Sequence, residues 1–342
     1  MLRKILIGLL IIGGIGGFIA YDKYKSILGS NVPDDLENNI VVIPSNSSFQ
    51  EVVKILHDNK QVIDTSSFRE VAEMMNYKKS IMPAGRYKID PSWSNRTLIG
   101  HLRSGKQEPV NLVLNHGWVV EDVAAKAAQF IEADSADLAD LFFDENYIKD
   151  FGYDNETLMS LFIPNTYEFF WNKNEKDFFK RMVKEHNRFW QSNNRLAKAE
   201  KLGMNAKEVY TLASIVERET AKNEEKKRVA GLYLNRIRKG MKLEADPTAK
   251  FATRGFKANR VLYKHTRFDS PYNTYLYEGL PPGPISMASI TSIDAVLNSE
   301  NHDYIFMCAR PDLSGYHAFS KTLAGHNKNA KKYHRWLDSL KR

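Results

Sequence analysis

The chain has 342 residues, of which 43% are hydrophobic and 26% are charged, and its formal net charge is +8. This composition is typical of a globular protein with a sizeable core and excludes a disordered chain. The basic surplus would suit nucleic acid, anionic lipid or an acidic wall polymer. Because the basic residues are scattered and do not cluster with aromatic residues, we expect no nucleic-acid partner.

The first predicted element is a membrane-spanning helix. Arg3 and Lys4 precede a charge-free run from Ile5 to Ala20, which its neighbours can extend to spanning length. A cleaved signal peptide has the same pattern, but no A-x-A-like cleavage site follows. We therefore predict a retained single-pass anchor over residues 1–25. Since positive residues favour the cytoplasmic side, the amino terminus is expected in the cytoplasm and the remainder of the chain outside it.

A linker and a small α+β unit are predicted next. Residues 31–39 are polar and include Pro33, so residues 26–38 are predicted to be the linker. Within residues 39–108 we predict, in order, a strand, two helices, a strand and a helix, over Asn39–Pro44, Phe49–Leu56, Ser67–Met75, Gly85–Ile89 and Thr97–Leu102. This order is that of small LysM-like peptidoglycan-binding modules, although other small α+β units share it.

Residues 109–342 are predicted to form a larger, mixed α+β domain. It opens with a strand at Val110–Leu114, and residues 119–200 are mainly helical with a break at 163–165. The single cysteine, Cys308, excludes an intramolecular disulfide. Its apolar surroundings favour a buried strand residue over a nucleophile. The chain is expected to end in a basic helix over residues 330–342.

The segment Leu212–Thr220 is predicted to be a helix that contains one unexpected residue. An apolar stripe that begins at Val209 reaches position 219 in steps of three or four residues, and that position is Glu219. The neighbouring Glu217 lies on another face of the helix. A carboxyl group at the edge of an apolar face is expected to have a raised pKa, which is the state that a general acid needs at neutral pH.

Turn-forming and polar residues are concentrated in the last third of the chain. They occur in Leu232–Arg236, Glu244–Thr248, Ser270–Tyr275, Gly279–Ile285 and Gly315–Ser320. The prolines at 281, 282 and 284 predict a stiff loop that could form one wall of a cleft. No metal-binding H-E-x-x-H, phosphate-binding loop or G-x-S-x-G motif is present, so we expect no metal and no cofactor. An acid that faces Asn, Thr and Tyr side chains suits an uncharged, hydroxyl-rich substrate such as a glycan.

These motifs resemble those of the YceG-like family of bacterial endolytic murein transglycosylases. The resemblance rests on Leu212–Thr220, Asn235-Arg236, Asp246–Thr248, Tyr272–Tyr275 and Gly279–Ile285, with an anchor and a LysM-like unit upstream. It implies that the second glutamate of the E-x-E pair, Glu219, is the catalytic residue. The family often has Pro-Asp-Thr where this chain has Asn165 in the middle position, so no role that needs a carboxylate is carried over to that position.

The resemblance also implies an activity. The expected enzyme is a lyase of the bacterial inner membrane that cleaves the β-1,4 bond between N-acetylmuramic acid (MurNAc) and N-acetylglucosamine (GlcNAc) in nascent peptidoglycan. The products carry 1,6-anhydro ends and strand elongation is terminated, with peptidoglycan synthases as candidate partners. Supporting or substrate-binding candidates are Glu217, Asn235, Asp246, Thr248, Tyr272, Asn273, Thr274, Tyr275, Pro282, Gly283 and His317.

Structural roles are open for these candidates as well. Glu217 could be a salt-bridge partner or a solvated helix residue, and the loop residues could shape turns through their side chains. The alternative function from another class is a non-catalytic, membrane-anchored scaffold that binds peptidoglycan. Glu219 argues against the scaffold, because such a protein gains nothing from an ionisable group on an apolar stripe.

Overall fold

The computed structural model describes residues 2–258 and 260–340 and has an α+β fold, which confirms the predicted class. Its strands pair into small two-stranded sheets. The chain forms two compact units. The first comprises the residues up to Asn111 with 130–132 and 168–173, and the second comprises 112–129, 133–167 and the residues from Asn174 onward.

The chain begins with one long exposed helix, α1 (Leu2–Leu28). Its portion Ile5–Leu28 is long and apolar enough to cross a membrane, and its most apolar stretch is not buried. Ile27, near its end, packs against the core of the first unit. This finding fits the predicted anchor. The described helix continues three residues beyond the predicted end of the anchor at 25, and the carbonyl of Ser26 accepts a hydrogen bond from Asn95 Nδ2 (2.9 Å).

Part of the segment predicted as a linker, residues 26–38, belongs to the core of the first unit. Asn31 and Val32 are both buried, and their backbone N–H groups donate to the carbonyl of Trp93. The Asn31 side chain also bonds Asn95 Oδ1 (2.7 Å). The polar composition of this segment suggested a linker. The sequence does not show that some of these polar groups are buried and hydrogen-bonded.

The first unit contains the predicted order of strand, helix, helix, strand and helix. These elements are β1 (Ile40–Ile43), α2 (Phe49–Asp58), α3 (Thr65–Met74), β2 (Gly85–Lys88) and α4 (Asn95–Ser104). The two strands are antiparallel, and Ile40 lies opposite Lys88. Local signals explain the ends of the helices: Ser48 caps α2, and α4 ends at Gly105 in the left-handed conformation. The resemblance of this unit to LysM modules stays a prediction.

The remaining strands and helices are mostly in the second unit. Strand β3 (Val110–Leu114) pairs with β4 (Asn165–Phe169), and β5 (Phe306–Ala309) pairs antiparallel with β6 (His317–Ser320). In chain order the elements after β3 are α5 (Val120–Ala127), α6 (Ser135–Phe143), α7 (Glu145–Lys149), a 3-10 turn (Leu158–Leu161), β4 (Asn165–Phe169), α8 (Glu175–Gln191), α9 (Arg195–Lys201), α10 (Ala206–Glu219), α11 (Asn223–Arg238), α12 (Asp246–Ala252), α13 (Tyr263–Thr266), α14 (Ile290–Leu297), β5 (Phe306–Ala309), β6 (His317–Ser320) and α15 (Leu323–Leu340).

Two local predictions need correction in this unit. The predicted helix break at 163–165 is followed by a strand, β4, which the sequence analysis missed. Cys308 lies in strand β5, as predicted, but it is only partly buried. Burial still raises the pKa of its thiol, so the structure gives no support for a nucleophilic cysteine.

Helix α10 is the central helix of the second unit. Its eight residues from Val209 to Val216 are all buried. The polar groups among them bind the backbone of the segment that leads into α14: Tyr210 Oη accepts a hydrogen bond from the Ala288 N–H (3.1 Å), and Ser214 Oγ accepts one from the Ile285 N–H (3.0 Å). Buried hydroxyls of this kind must be paired, so they fix the register between α10 and this segment.

Gly231 in α11 gives a stability test of this packing. A Cβ atom at position 231 would lie 2.5 Å from the Glu300 carbonyl oxygen and 2.9 Å from His302 Nε2. We expect Gly231→Ala to destabilise the protein by about 1–3 kcal/mol through overpacking, measured by thermal unfolding of the full chain in detergent. Gly325→Ala is the matched control, because a Cβ there makes ordinary contacts at 3.4 Å. Equal stability of the two variants would contradict the close approach.

Candidate active site

Glu219 faces a cavity of about 430 Å³ in the second unit. It is the last residue of α10, where the negative end of the helix dipole disfavours a second negative charge. Its Oε2 atom is buried and has no hydrogen-bond partner among the residues that the structure describes. The other residues that line the cavity are Leu232, Tyr233, Arg236, Leu243, Glu244, Asp246, Tyr275, Ile305, Phe306, Met307, Leu323 and His326.

The environment of Glu219 brings its pKa to about 7. Burial is the largest cause, because it penalises the charged form, and the nearby charge of Asp246 raises the pKa further. The charges of His317 and Lys250, together with a hydrogen bond from Tyr233, act in the opposite direction. A carboxyl group with this pKa can release and regain a proton near neutral pH, as the sequence analysis expected of a general acid.

Asp246 and Tyr275 are the two sequence-predicted candidates that share the cavity with Glu219. Asp246 begins α12, and its Oδ1 accepts a hydrogen bond from the Tyr275 hydroxyl (2.6 Å). Burial and this bond to a carboxylate both raise the pKa of Tyr275. The pair therefore presents a fixed negative charge with its phenol partner on one wall of the cavity.

Thr248 and Thr274 are buried and do not line the cavity. Their hydroxyl oxygens are 2.8 Å apart, and Thr274 Oγ1 accepts a hydrogen bond from the Ala245 N–H (3.1 Å). These contacts join the start of α12 to the loop at 274. These contacts fix the backbone next to Asp246, as the loop-shaping alternative for these two residues predicts.

Asn273 and Tyr272 also shape the loop. Asn273 is fully buried, and its Nδ2 donates to the carbonyls of Thr266 (3.2 Å) and Phe268 (2.8 Å). The Tyr272 ring packs 4.7 Å from the ring of Phe251. Neither residue lines the Glu219 cavity.

Glu217 is held in an ion pair away from the cavity. Lys226 Nζ lies 3.0 Å from its Oε2, and the hydroxyls of Ser289 and Ser292 donate to the same oxygen. Burial acts to raise the pKa of Glu217, but the hydrogen bonds from the two serines and Lys226 outweigh it and lower the pKa. Glu217 is therefore a charged structural residue that joins α10, α11 and the start of α14.

Asn235 and His317 do not line the cavity. Asn235 Nδ2 donates to the carbonyls of His302 (2.6 Å) and Tyr304 (3.1 Å), so it braces α11. His317 Nδ1 is 3.0 Å from Glu225 Oε2, and the backbone N–H of His317 donates to the other oxygen of that carboxylate (2.8 Å). His317 thus acts on Glu219 through its charge, without a hydrogen bond to it.

The proline-containing segment does not form the expected wall. None of Gly279–Ile285 lines the cavity around Glu219. Pro282 lines a separate cavity of about 860 Å³, and a Cβ at Gly283 would lie 1.9 Å from the Glu156 carbonyl oxygen. The segment is stiff and glycine-containing because it packs directly against another stretch of backbone.

Several residues that line the cavity were not predicted from the sequence as site residues. Tyr233 and Arg236 belong to the polar segment Leu232–Arg236, but the sequence does not show that both are buried. Phe306 and His326 come from β5 and α15 and carry no local signal, since only the tertiary fold brings them to Glu219. No cluster of three or more metal-ligating side chains occurs within residues 2–258 and 260–340.

Comparison with known proteins identifies the family of this chain. The sequence model of the YceG-like family matches residues 41–332. An endolytic murein transglycosylase from Bacillus subtilis (strain 168) is 29% identical, covering 93% of this chain and 91% of that protein. One from Streptococcus pneumoniae (D39) is 27% identical, and the match covers 84% of this chain but 58% of that longer protein.

A solved structure is similar as well. The crystal structure of a putative yceG-like protein from Listeria monocytogenes superposes with a TM-score of 0.57 at 28% identity, covering 84% of this chain and 97% of that one. The family match extends over most of the chain and includes every residue of the cavity. The chain therefore belongs to the YceG-like family.

Proposed function

We propose that the chain is an endolytic murein transglycosylase that cleaves the β-1,4 bond between MurNAc and GlcNAc within glycan strands. The observation that carries the proposal is the buried, unpartnered Oε2 of Glu219 in a cavity, on a carboxyl with a pKa of about 7. The names of the relatives from Bacillus subtilis and Streptococcus pneumoniae support the substrate class.

In the proposed reaction Glu219 acts first as an acid and then as a base. Its proton passes to the glycosidic oxygen as the bond from that oxygen to C1 of MurNAc breaks, which leaves a free 4-hydroxyl on GlcNAc. The 6-hydroxyl of MurNAc then bonds to C1, and its proton returns to the Glu219 carboxylate. The product is a 1,6-anhydro end and no water is consumed, so one carboxyl group is sufficient where a glycosidase uses two.

The other carboxylates of the cavity are held by partners. Glu244 pairs with Arg236 (2.9 Å), and Asp246 accepts the Tyr275 hydroxyl. Both are suited to fixing the local field, and the raised pKa of Glu219 is one consequence of the Asp246 charge. A hydrolase would need one of them to activate water, and the products distinguish the two reactions.

The proposal includes the cellular setting. With its amino terminus in the cytoplasm, α1 would hold the catalytic domain (109–342) on the outer side of the bacterial inner membrane, close to nascent strands. The LysM-like subdomain (39–108) would bind glycan, and cleavage would end strand elongation beside peptidoglycan synthases. A non-catalytic scaffold would not need the uncompensated acid in the cavity.

Replacement of Glu219 tests the catalytic role. We expect Glu219→Gln to lower the rate of anhydromuramoyl product formation by about 10²–10⁴-fold, because the amide cannot donate the proton. The measurement is mass spectrometry of the fragments that the full chain in detergent releases from purified peptidoglycan. Products with reducing ends from the wild type would instead identify a hydrolase.

Glu217→Gln is the matched control, two residues away on the same helix. It leaves the Lys226 ammonium buried beside a neutral group, so we expect a stability loss of about 3–5 kcal/mol with chemistry retained by the folded fraction.

Glu219→Gln should instead lose the chemistry and keep the stability of the fold. The folded protein favours the protonated form of Glu219, because the pKa of this carboxyl is raised to about 7. The contribution of Glu219 to the free energy of unfolding is therefore complete at low pH and is lost as pH rises through about 7, so Gln in its place should not destabilise the protein at pH 8. Full activity in Glu219→Gln and none in Glu217→Gln would refute the assignment.

The pH profile tests the electrostatics around Glu219. The acid must be protonated in the first step, so kcat/KM should fall as pH rises through about 7. Asp246→Asn removes a charge that raises the pKa of Glu219 and should move this fall to lower pH. His317→Gln removes a charge that lowers the pKa and should move it to higher pH. Shifts in the same direction for both variants would contradict this account.

A further inference from the structure

Three polar atoms on the wall of the Glu219 cavity are buried and have no partner in the described chain. They are Glu219 Oε2, Arg236 Nε and His326 Nδ1. Buried polar atoms in folded proteins are nearly always paired. Three unpaired atoms around one cavity indicate that a ligand supplies their hydrogen-bond partners. Which of the three atoms donate and which accept then constrains the chemistry of that ligand.

We propose that Arg236 and His326 recognise the 2-acetamido group of a glycan residue beside the cleaved bond. Arg236 Nε carries a hydrogen and can only donate, so it requires an acceptor such as the acetamido carbonyl. His326 Nδ1 accepts the amide N–H in the tautomer that leaves this nitrogen unprotonated. The remaining atom, Glu219 Oε2, faces the glycosidic oxygen. This inference rests on the proposed function, because it takes the substrate to be a glycan.

The charges of the cavity favour a neutral acceptor over a carboxylate. The guanidinium of Arg236 is already paired with Glu244 (2.9 Å) and donates to the carbonyl of Leu243 (2.6 Å). Asp246 adds a second negative charge to the lining. With Glu219 protonated, the lining carries more negative than positive charge, so the lactyl carboxylate of MurNAc is a poor match for Arg236 Nε, whereas an uncharged carbonyl fits.

Phe306 holds the two recognition groups in position. Its ring stacks on the ring of His326 at 5.4 Å, with 25° between the planes, and the Arg236 guanidinium lies 5.6 Å from its centre. Arg236 itself is only 6% exposed, so its side chain is fixed. The neighbouring Met307 and Leu323 give the lining an apolar edge that suits the acetamido methyl group.

The test compares neutral tetrasaccharides that differ at C2. Chitotetraose carries a 2-acetamido group on every sugar and cellotetraose carries a 2-hydroxyl, while both are uncharged β-1,4 chains. Binding is measured by calorimetry with the full-length Glu219→Gln protein in detergent, so that no cleavage occurs. We expect chitotetraose to bind at least about tenfold more tightly, because cellotetraose leaves both recognition atoms unpaired.

Variants in the Glu219→Gln background identify the residues responsible. Arg236→Lys keeps the positive charge beside Glu244 but removes the Nε–H, and His326→Ala removes the ring nitrogen; each should erase most of the preference for chitotetraose. His326→Asn places an amide near the position of Nδ1 and should restore part of it. His326 is on the partly exposed face of α15, so its variants are informative even where Arg236→Lys folds poorly.

Two outcomes would overturn the inference. One is equal binding of chitotetraose and cellotetraose. The other is an Arg236→Lys variant that weakens binding only of a GlcNAc–MurNAc tetrasaccharide, which would assign Arg236 to the lactyl carboxylate. Cleavage of peptidoglycan by the wild type is assayed separately, so a failure of acetamido recognition is distinguishable from a failure of the proposed function.

Discussion

The ion pair between Glu217 and Lys226 is the interaction on which the candidate site depends. It joins α10 to α11, and the hydroxyls of Ser289 and Ser292 bring the start of α14 to the same carboxylate. Residues two positions apart on a helix point in nearly opposite directions. With Glu217 fixed on one side, Glu219 is directed to the other side, into the cavity. The structural glutamate thus orients the one proposed to be catalytic, as a preorganised site requires.

The ionised form of Glu219 is unfavourable for folding, and this is informative about the role of the residue. A buried carboxyl group without an ion-pair partner either costs stability when ionised or holds its proton to an unusually high pH. Some buried polar groups of the second unit, such as Asn273 and Thr248, are closely paired. Acids whose pKa is strongly perturbed and that lie in a cavity are concentrated at functional sites. The contrast with Glu217, on the same turn of α10, excludes a general looseness of packing as the cause.

The sequence predicted what is determined locally. The strands and helices of the first unit follow from periodicity and from capping residues such as Ser48 and Gly105, and Glu219 was identified from helical spacing. The inference from an apolar stripe on α10 was incomplete, because this helix is buried on all sides from Val209 to Val216 and has no single apolar face. What separates the two glutamates is the set of partners around each one, and those partners come from α11 and α14. Position on the helix singled out the glutamate that lines the cavity, and tertiary contacts explain why its environment differs from that of Glu217.

The polar loops show why the rest of the site was not predictable. Asn, Thr and Tyr near turns suggest a substrate cleft, yet the same side chains satisfy the backbone groups that a buried loop leaves unpaired. Asn273 and Thr274 serve the backbone, whereas Tyr275, the next residue, reaches the cavity. Composition alone cannot separate these uses. Phe306 and His326 lie far along the chain, and no local pattern connects them with Glu219. The proposed glycan site is assembled from α10, α11, α12, β5 and α15, so it is a property of the packed unit and depends on contacts that only the fold creates.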